Sequence, residues 1–248
     1  MNEREDIDST VERVALELAY RSRGAFLVAY ATNFGKGSLF VETAEPADVG
    51  TPTTLQISAP GVPAIALEGV VTWTRPSATG PGQPAGMGLA IAPPPELLGE
   101  AVDEIAFGFG GMKVLLGAGE AAPRAILSRY LRSILRCEIV EPEGHGDGTG
   151  GLEGLDLAVI DLDSSGPHGL ELHARLRAGS ETRTVPSLAL AHIERDRMQA
   201  LRAGFDEAQP NPPVFAELQA AVLRCLARPM SPETGGRRFV RTPTPARS

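Results

Sequence analysis

Asp161 closes an apolar run, Asp156-Leu157-Ala158-Val159-Ile160-Asp161, and is followed by a turn from Ser164 to Gly169 and a helix start at Leu170-Glu171-Leu172. A carboxylate at the mouth of a buried strand is well placed to accept a phosphoryl group or to share a divalent cation. Either task needs company: further hard oxygen ligands for the metal, and a positive or hydroxyl group for the phosphoryl oxygens. Glu120 and Asp163 supply a thin supplement of carboxylates and nothing more. The other reactive residue types are dispersed. His145, His168, His173 and His192 show no ligand spacing, and Cys137 and Cys225 are isolated thiols. Gly108 to Gly111, Gly117 and Gly119 are not followed by the lysine of a phosphate-cradling loop, and no serine nucleophile elbow occurs. These residues assemble no catalytic centre, so the sequence predicts a protein that is not an enzyme and needs neither metal nor cofactor.

The chain has 248 residues, enough for two modest domains, and 42% of them are apolar, enough for packed cores. The formal net charge of −8 argues against general binding to nucleic acid or to anionic membranes. No apolar run reaches the length of a membrane span, and the charged start, Met1 to Asp6, leads into no signal-peptide core. Two lone thiols fit a reducing cytoplasm.

The residues from Val14 to Ala92 carry strand and turn signals. Val14, Leu16, Leu18 and Tyr20 alternate with Ala15, Glu17 and Ala19. Further strands are predicted over 25–32, 39–43, 53–58, 64–74 and 86–91, with a turn at 21–24 whose Arg21 and Arg23 read as solvated charges. Six short strands at close spacing predict an all-β antiparallel barrel or sandwich. The segments Asn33 to Val41, Pro46 to Gly50, Gly69 to Trp73 and Gly86 to Leu89 resemble, in order and spacing, the PilZ domain in its form among motility proteins of gliding bacteria. The resemblance implies a six-stranded barrel and a surface for cyclic di-GMP. That nucleotide is held in the family by an RxxxR pair and by a [D/N]xSxxG motif. Mapped onto this chain, the motifs leave Arg13, Asn33 and Ser38 as the candidate nucleotide-binding residues. Arg13 has Ser9 and Glu17 where a basic partner should be, Gly35 replaces the motif serine, and Ser38 replaces its glycine. Charge-assisted bidentate contacts are the strong ones for such a ligand. Their loss implies a barrel kept as a binding module, with a weakened cyclic di-GMP site as the alternative.

From Met112 onward, strands alternate with helices: strands over 112–116, 137–140, 157–160 and 187–191, helices over 122–135, 169–177, 193–203 and 215–227. This alternation predicts a doubly wound parallel sheet of the flavodoxin-like kind. It resembles the receiver domain of two-component signalling, in which Asp161 would be the phosphoacceptor. The family's two metal-binding acids fall on Ala118 and Gly119, its hydroxyl residue on Ala191, and its lysine on Asn211. The resemblance therefore implies a pseudo-receiver in which Asp161 serves as a strand-end cap; a phosphorylatable response regulator using Asp161 is the alternative.

The predicted organisation is an acidic N-terminal segment (1–12), a PilZ-like barrel (13–95), a linker helix with a Gly-rich hinge (96–111), a pseudo-receiver (112–228) and a disordered tail (229–248). The two resemblances imply a cytoplasmic signalling adaptor in bacterial motility or cell polarity, stationed at a cell pole. It would act through protein partners and form a homodimer through the face of the last receiver helices.

Overall fold

The computed structural model describes residues 12–79, 84–92, 96–142, 152–230 and 237–243. The acidic stretch before residue 12 and the Gly-rich loop at 144–151 lie outside them. No helix among the described residues is long and apolar enough to cross a membrane.

Side-chain alternation builds the first sheet. In β1 (Glu12–Ala19), Val14, Leu16 and Leu18 are buried. In β3 (Pro52–Ala59), Thr53, Leu55, Ile57 and Ala59 face the same core. With β2 (Ser38–Glu42), β4 (Val62–Arg75), β5 (Gly86–Ile91) and β11 (Arg237–Pro243) they form a six-stranded sheet in the order β11-β1-β3-β4-β5-β2. Strand number matches the expectation; identity and direction do not. The sheet is mixed, because β1 runs parallel to β3. The sixth strand comes from residues 237–243, expected to be unstructured, which pair antiparallel with β1. That arginine-rich stretch cannot bury a face of its own, so its pairing is tertiary and leaves no local pattern to read.

The segment expected as the second strand is α1 (Arg23–Thr32). Ser22 caps it, its Oγ accepting from Ala25 N–H at 3.2 Å. Gly24, Ala25, Phe26 and Ala29 are buried, while Leu27, Val28 and Tyr30 pack partly buried around them. A short run that is apolar on most sides reads equally as strand or helix; here the cap and the packing on both sides decide. The helix α2 (Glu96–Phe107) sends Val102 and Ile105 into the same core, so it is a packed element rather than a free linker.

The second sheet is wholly parallel. It contains β6 (Met112–Gly117), β7 (Cys137–Val140), β8 (Leu157–Asp161), β9 (Ser187–Leu190) and β10 (Glu207–Gln209), in the order β10-β9-β8-β6-β7. Read by chain order within this half, that is 2-1-3-4-5, the flavodoxin-like winding. Successive residues of each strand feed opposite faces. Val114, Leu116, Leu157 and Val159 pack with α3 (Ala121–Ile134) and α7 (Phe215–Ala227). Leu115, Ala158 and Ile160 pack with α5 (Pro167–Ala178) and α6 (Glu194–Arg202). The short α4 (Leu162–Ser165) follows β8 directly.

The two halves share an interface. Helix α1 packs on α7, Val28 touches both cores, and Ala227 at the end of α7 belongs to the first core. Arg21, expected to be solvated, donates from Nε to Leu155 O at 2.8 Å, from Nη2 to Glu181 O at 2.7 Å, and from Nη1 to Thr184 Oγ1. Burial lowers its pKa from the ordinary value, while the charges of Asp156 and Glu181 act the other way. Arg228 bridges Glu42 and Asp206, and Met230 N–H donates to Ala19 O. Of the face of the last helices, expected to serve dimerisation, one side of α7 packs on the chain's own first half, while Glu217, Gln219, Ala220 and Arg224 stay exposed. Arg21→Ala strands two carbonyl groups and is expected to cost about 2 kcal/mol, read as a lower urea midpoint; Arg21→Lys should not rescue it, because an ammonium cannot reproduce the fork.

Candidate functional site

Asp161 sits at the carboxyl end of the central strand β8, where ligands of doubly wound sheets bind. It is fully buried. Its Oδ1 accepts from Asp163 N–H at 3.0 Å and from Ser164 N–H at 3.3 Å, which makes it the N-cap of α4. Its Oδ2 accepts from Ser164 Oγ at 2.7 Å. The Asn211 amide donates to Oδ1 at 2.9 Å. Asn211 stands where a receiver has its lysine, and here it supplies a neutral hydrogen bond in place of a charge.

The neighbouring acids are spent in the same way. Asp163 Oδ2 accepts from Asn211 Nδ2 at 2.8 Å and from His192 N–H at 2.9 Å, tying α4 to the loops after β9 and β10. Glu120 is exposed and makes no side-chain cap bond at the start of α3. At the two positions of a receiver's acidic pair, Ala118 is buried and Gly119 donates its N–H to Ser164 Oγ at 3.1 Å. A Cβ on Gly119 would come 2.1 Å from Ser164 O, so the backbone of the acceptor loop fills the space that an acidic side chain would need. Ala191 lies buried where a hydroxyl would stand. Ser164, which the sequence reading passed over, carries the rearrangement. Its signal was a polar residue three positions after an aspartate at a strand end, the spacing of a helix cap.

In the first half, Asn33 and Ser38 line one groove of about 310 Å³ with Phe40, Thr72 and Trp73. Arg13 is not in that lining: its strand β1 is separated from β2 by β3, β4 and β5. The three candidates therefore make no common clamp. A Cβ at Gly35 would meet Tyr30 O at 2.5 Å, so a motif serine does not fit there without a shift. A larger cleft of about 500 Å³ opens between this sheet and α7, lined by Asn33, Phe40, Glu42, Arg75, Arg224 and Arg228, among others. Its arginines are engaged. Arg224 pairs with Glu207, Arg228 with Glu42 and Asp206, and Arg75 lies 5.4 Å from the ring centroids of both Phe40 and Trp73, which stack on each other.

A second, partly buried polar cluster occupies the opposite, amino end of the parallel sheet, at the start of β9. Arg177 donates to His173 Nε2, Val185 O, Ser187 Oγ, Gly204 O and Asp206 Oδ2. The His173 ring stacks on Phe205 with centroids 3.8 Å apart. Burial, helped by Arg177 and opposed by Asp206, pushes the His173 pKa down to about 4. A ring that accepts from a guanidinium and touches little solvent is a packing element, not a proton shuttle.

No family model matches the chain, and no curated protein matches it. Among solved structures, the receiver domain of a sensor histidine kinase from Pseudomonas aeruginosa, with magnesium in its active-site cleft, is 23% identical. The alignment covers 47% of this chain and 98% of that one, with a TM-score of 0.39. The receiver domain of a histidine kinase from Syntrophus aciditrophicus is 22% identical over 47% and 90% of the two chains, with a TM-score of 0.40. The receiver domain of a DNA-binding response regulator from Colwellia psychrerythraea is 16% identical over 47% and 99%, with a TM-score of 0.41. The fold assignment of the second half rests on its strand order and crossovers.

Two outcomes follow from this geometry. Asp161→Ala removes the acceptor of four part-buried hydrogen bonds, of which the Asn211 amide alone keeps a second partner in Asp163, and is expected to destabilise by about 1–2 kcal/mol in urea unfolding, whereas Asp161→Asn, which keeps an accepting oxygen, costs less. For His173 the folded pKa lies below the unfolded value, so between them the unfolded chain binds more protons. Stability therefore falls as pH drops from about 7 to about 5, by roughly 2 kcal/mol from this group. Urea midpoints at both pH values should show that drop shrinking in His173→Gln, which still accepts from Arg177 but does not titrate. An undiminished drop would assign the pH dependence elsewhere.

Proposed function

We propose that this chain is a non-enzymatic signalling adaptor that works through protein contacts, its receiver-like half acting without phosphorylation. The observation that carries this reading is the internal saturation of Asp161: Ser164, Asn211 and two backbone N–H groups occupy the oxygens that a metal or phosphoryl group would need. Phosphoryl transfer depends on positioned charge, and here the charge beside the acceptor has been exchanged for an amide. A receiver normally switches between two states. In this reading the receiver-like half does not switch, its loops being tied by the hydrogen bonds of Asp161 and Asp163 and its last helix by the junction with the first half. The narrower assignment to motility or cell polarity draws on the resemblance of residues 33–41, 46–50, 69–73 and 86–89 to PilZ domains, and on that alone.

Cyclic di-GMP binding is the lesser reading. Asn33 and Ser38 share a groove beside the Phe40–Trp73 stack, which could receive a base, but Arg13 stands apart from it. The deciding experiment titrates beryllofluoride and magnesium into the intact protein while following tryptophan fluorescence and amide NMR shifts, with cyclic di-GMP titrated separately by calorimetry. The adaptor reading expects no saturable response in either. Saturable shifts at Asp163, Ser164 and Asn211 with beryllofluoride would overturn it in favour of a working receiver, and micromolar heats would favour a nucleotide effector.

A further inference from the structure

The protein is acidic overall, yet one of its surfaces is not. The helix α3, Ala-Ala-Pro-Arg-Ala-Ile-Leu-Ser-Arg-Tyr-Leu-Arg-Ser-Ile, contains no carboxylate. Its inward residues Leu127 and Leu131 are buried in the second core. Its outward residues Ala122, Ala125, Ile126, Arg129 and Arg132 are exposed, and Arg136, just beyond its end, is exposed as well. At 3.6 residues per turn, Ala122, Ala125, Arg129 and Arg132 fall on one face, with Ile126 at its border.

Arg124 is occupied, pairing with Glu141 and donating to Ala118 O. Arg129, Arg132 and Arg136 differ. Among the described residues, no carboxylate lies within ion-pair distance of any of them. That contrasts with Arg21, Arg177, Arg224 and Arg228, each of which has hydrogen-bond or ion-pair partners on the protein itself. A cation near a helix C-terminus gains a few tenths of a kcal/mol from the macrodipole, which accounts for Arg132 in part. It does not account for the apolar surface alongside. Ile126 is 45% exposed, Val214 60% and Phe215 37%. Phe215 meets Tyr130 of α3 edge-on, with ring centroids 5.3 Å apart, so the apolar surface continues from α3 onto the start of α7. An exposed apolar strip flanked on the α3 side by arginines without ion-pair partners, and on the α7 side by Glu217, has the anatomy of an interaction surface.

We propose that the outward face of α3, with Val214 and Phe215 at its edge, docks an acidic amphipathic helix of a partner protein. Its apolar side would lie on Ile126, Tyr130 and Phe215, and its carboxylates would reach Arg129, Arg132 and Arg136. The proposal rests on the adaptor reading and gives it a surface and a partner chemistry. Charge complementarity selects the occupant: unpaired guanidiniums recognise carboxylates, and the apolar strip between them selects a helix with one greasy face. A second copy of the chain fits less well, because its corresponding face carries the same charge. A polyanion such as DNA or an anionic bilayer would have to overcome the −8 net charge of the rest of the molecule.

The test uses the full-length protein and a fluorescein-labelled helical peptide with alternating Leu and Glu faces, read by anisotropy. A Lys-for-Glu version of the peptide, phosphatidylserine/phosphatidylcholine vesicles and a short DNA duplex are the comparators. The expected result is binding of the acidic peptide that weakens at least about tenfold in R129E/R132E/R136E and falls again with added salt, with little binding to the other probes. Ile126→Ser should weaken binding without changing the salt slope. All four positions are exposed, and an unchanged circular dichroism spectrum and urea midpoint would verify the fold. Failure to bind the peptide at all, or equal binding by the triple variant, overturns the docking surface. Preference for vesicles or DNA overturns the choice of partner. None of these results touches the adaptor reading, which falls only if Asp161 takes up a phosphoryl analogue or the first half binds nucleotide.

Discussion

A carboxylate buried away from water survives only if its oxygens are hydrogen-bonded, and Asp161 receives four donors within its own loop and from Asn211. The consequences reach outward from that constraint. Because Ser164 turns back onto Asp161, its carbonyl moves against Gly119, and a larger residue no longer fits at the position of a metal-binding acid. Because Asn211 reaches across to both Asp161 and Asp163, the loops after β8 and β10 are joined by its amide. His192 adds the loop after β9 through its backbone N–H. The carboxyl end of the sheet around Asp161 is thus a hydrogen-bond network joining three loops. Such a network favours one conformation, whereas switching needs two of similar free energy.

The junction between the halves works in the same direction. Helix α7 is packed against α1, and Arg21 is inserted between the loops around Leu155 and Glu181. An arginine that gives its fork to backbone carbonyls has little freedom to move without leaving those groups unpaired. Two elements that could have moved independently are thereby held as neighbours. On the other side of the second half, α3 carries exposed arginines without ion-pair partners among the described residues, beside the exposed side chains of Ile126, Val214 and Phe215.

The second half was readable in the sequence because its strands are buried on both faces and its helices recur at regular intervals. Leu157 to Ile160 could only be an interior parallel strand, and the order of elements then left few topologies. The departures from the receiver pattern were equally visible, at Ala118, Gly119, Ala191 and Asn211. What replaced it was not visible, since nothing in a sequence says that Ser164 will fold back or that Asn211 will span two loops. In the first half the limits were sharper. Ala25 to Thr32 is apolar at nearly every position, so no period separated helix from strand, and only its burial between two cores made it α1. Arg237 to Pro243 carries no hydrophobic alternation, and it becomes β11 only by adding to the edge of β1. Arg21 looked like any turn arginine, because its partners lie more than 130 residues away.

The central proposal is that Asp161 serves as a structural group and not as a phosphoacceptor. The most direct measurement incubates the intact protein with acetyl phosphate and magnesium and follows its mass. The account predicts no phosphorylated species at any time point. A population heavier by one phosphoryl group, absent in Asp161→Asn, would contradict it.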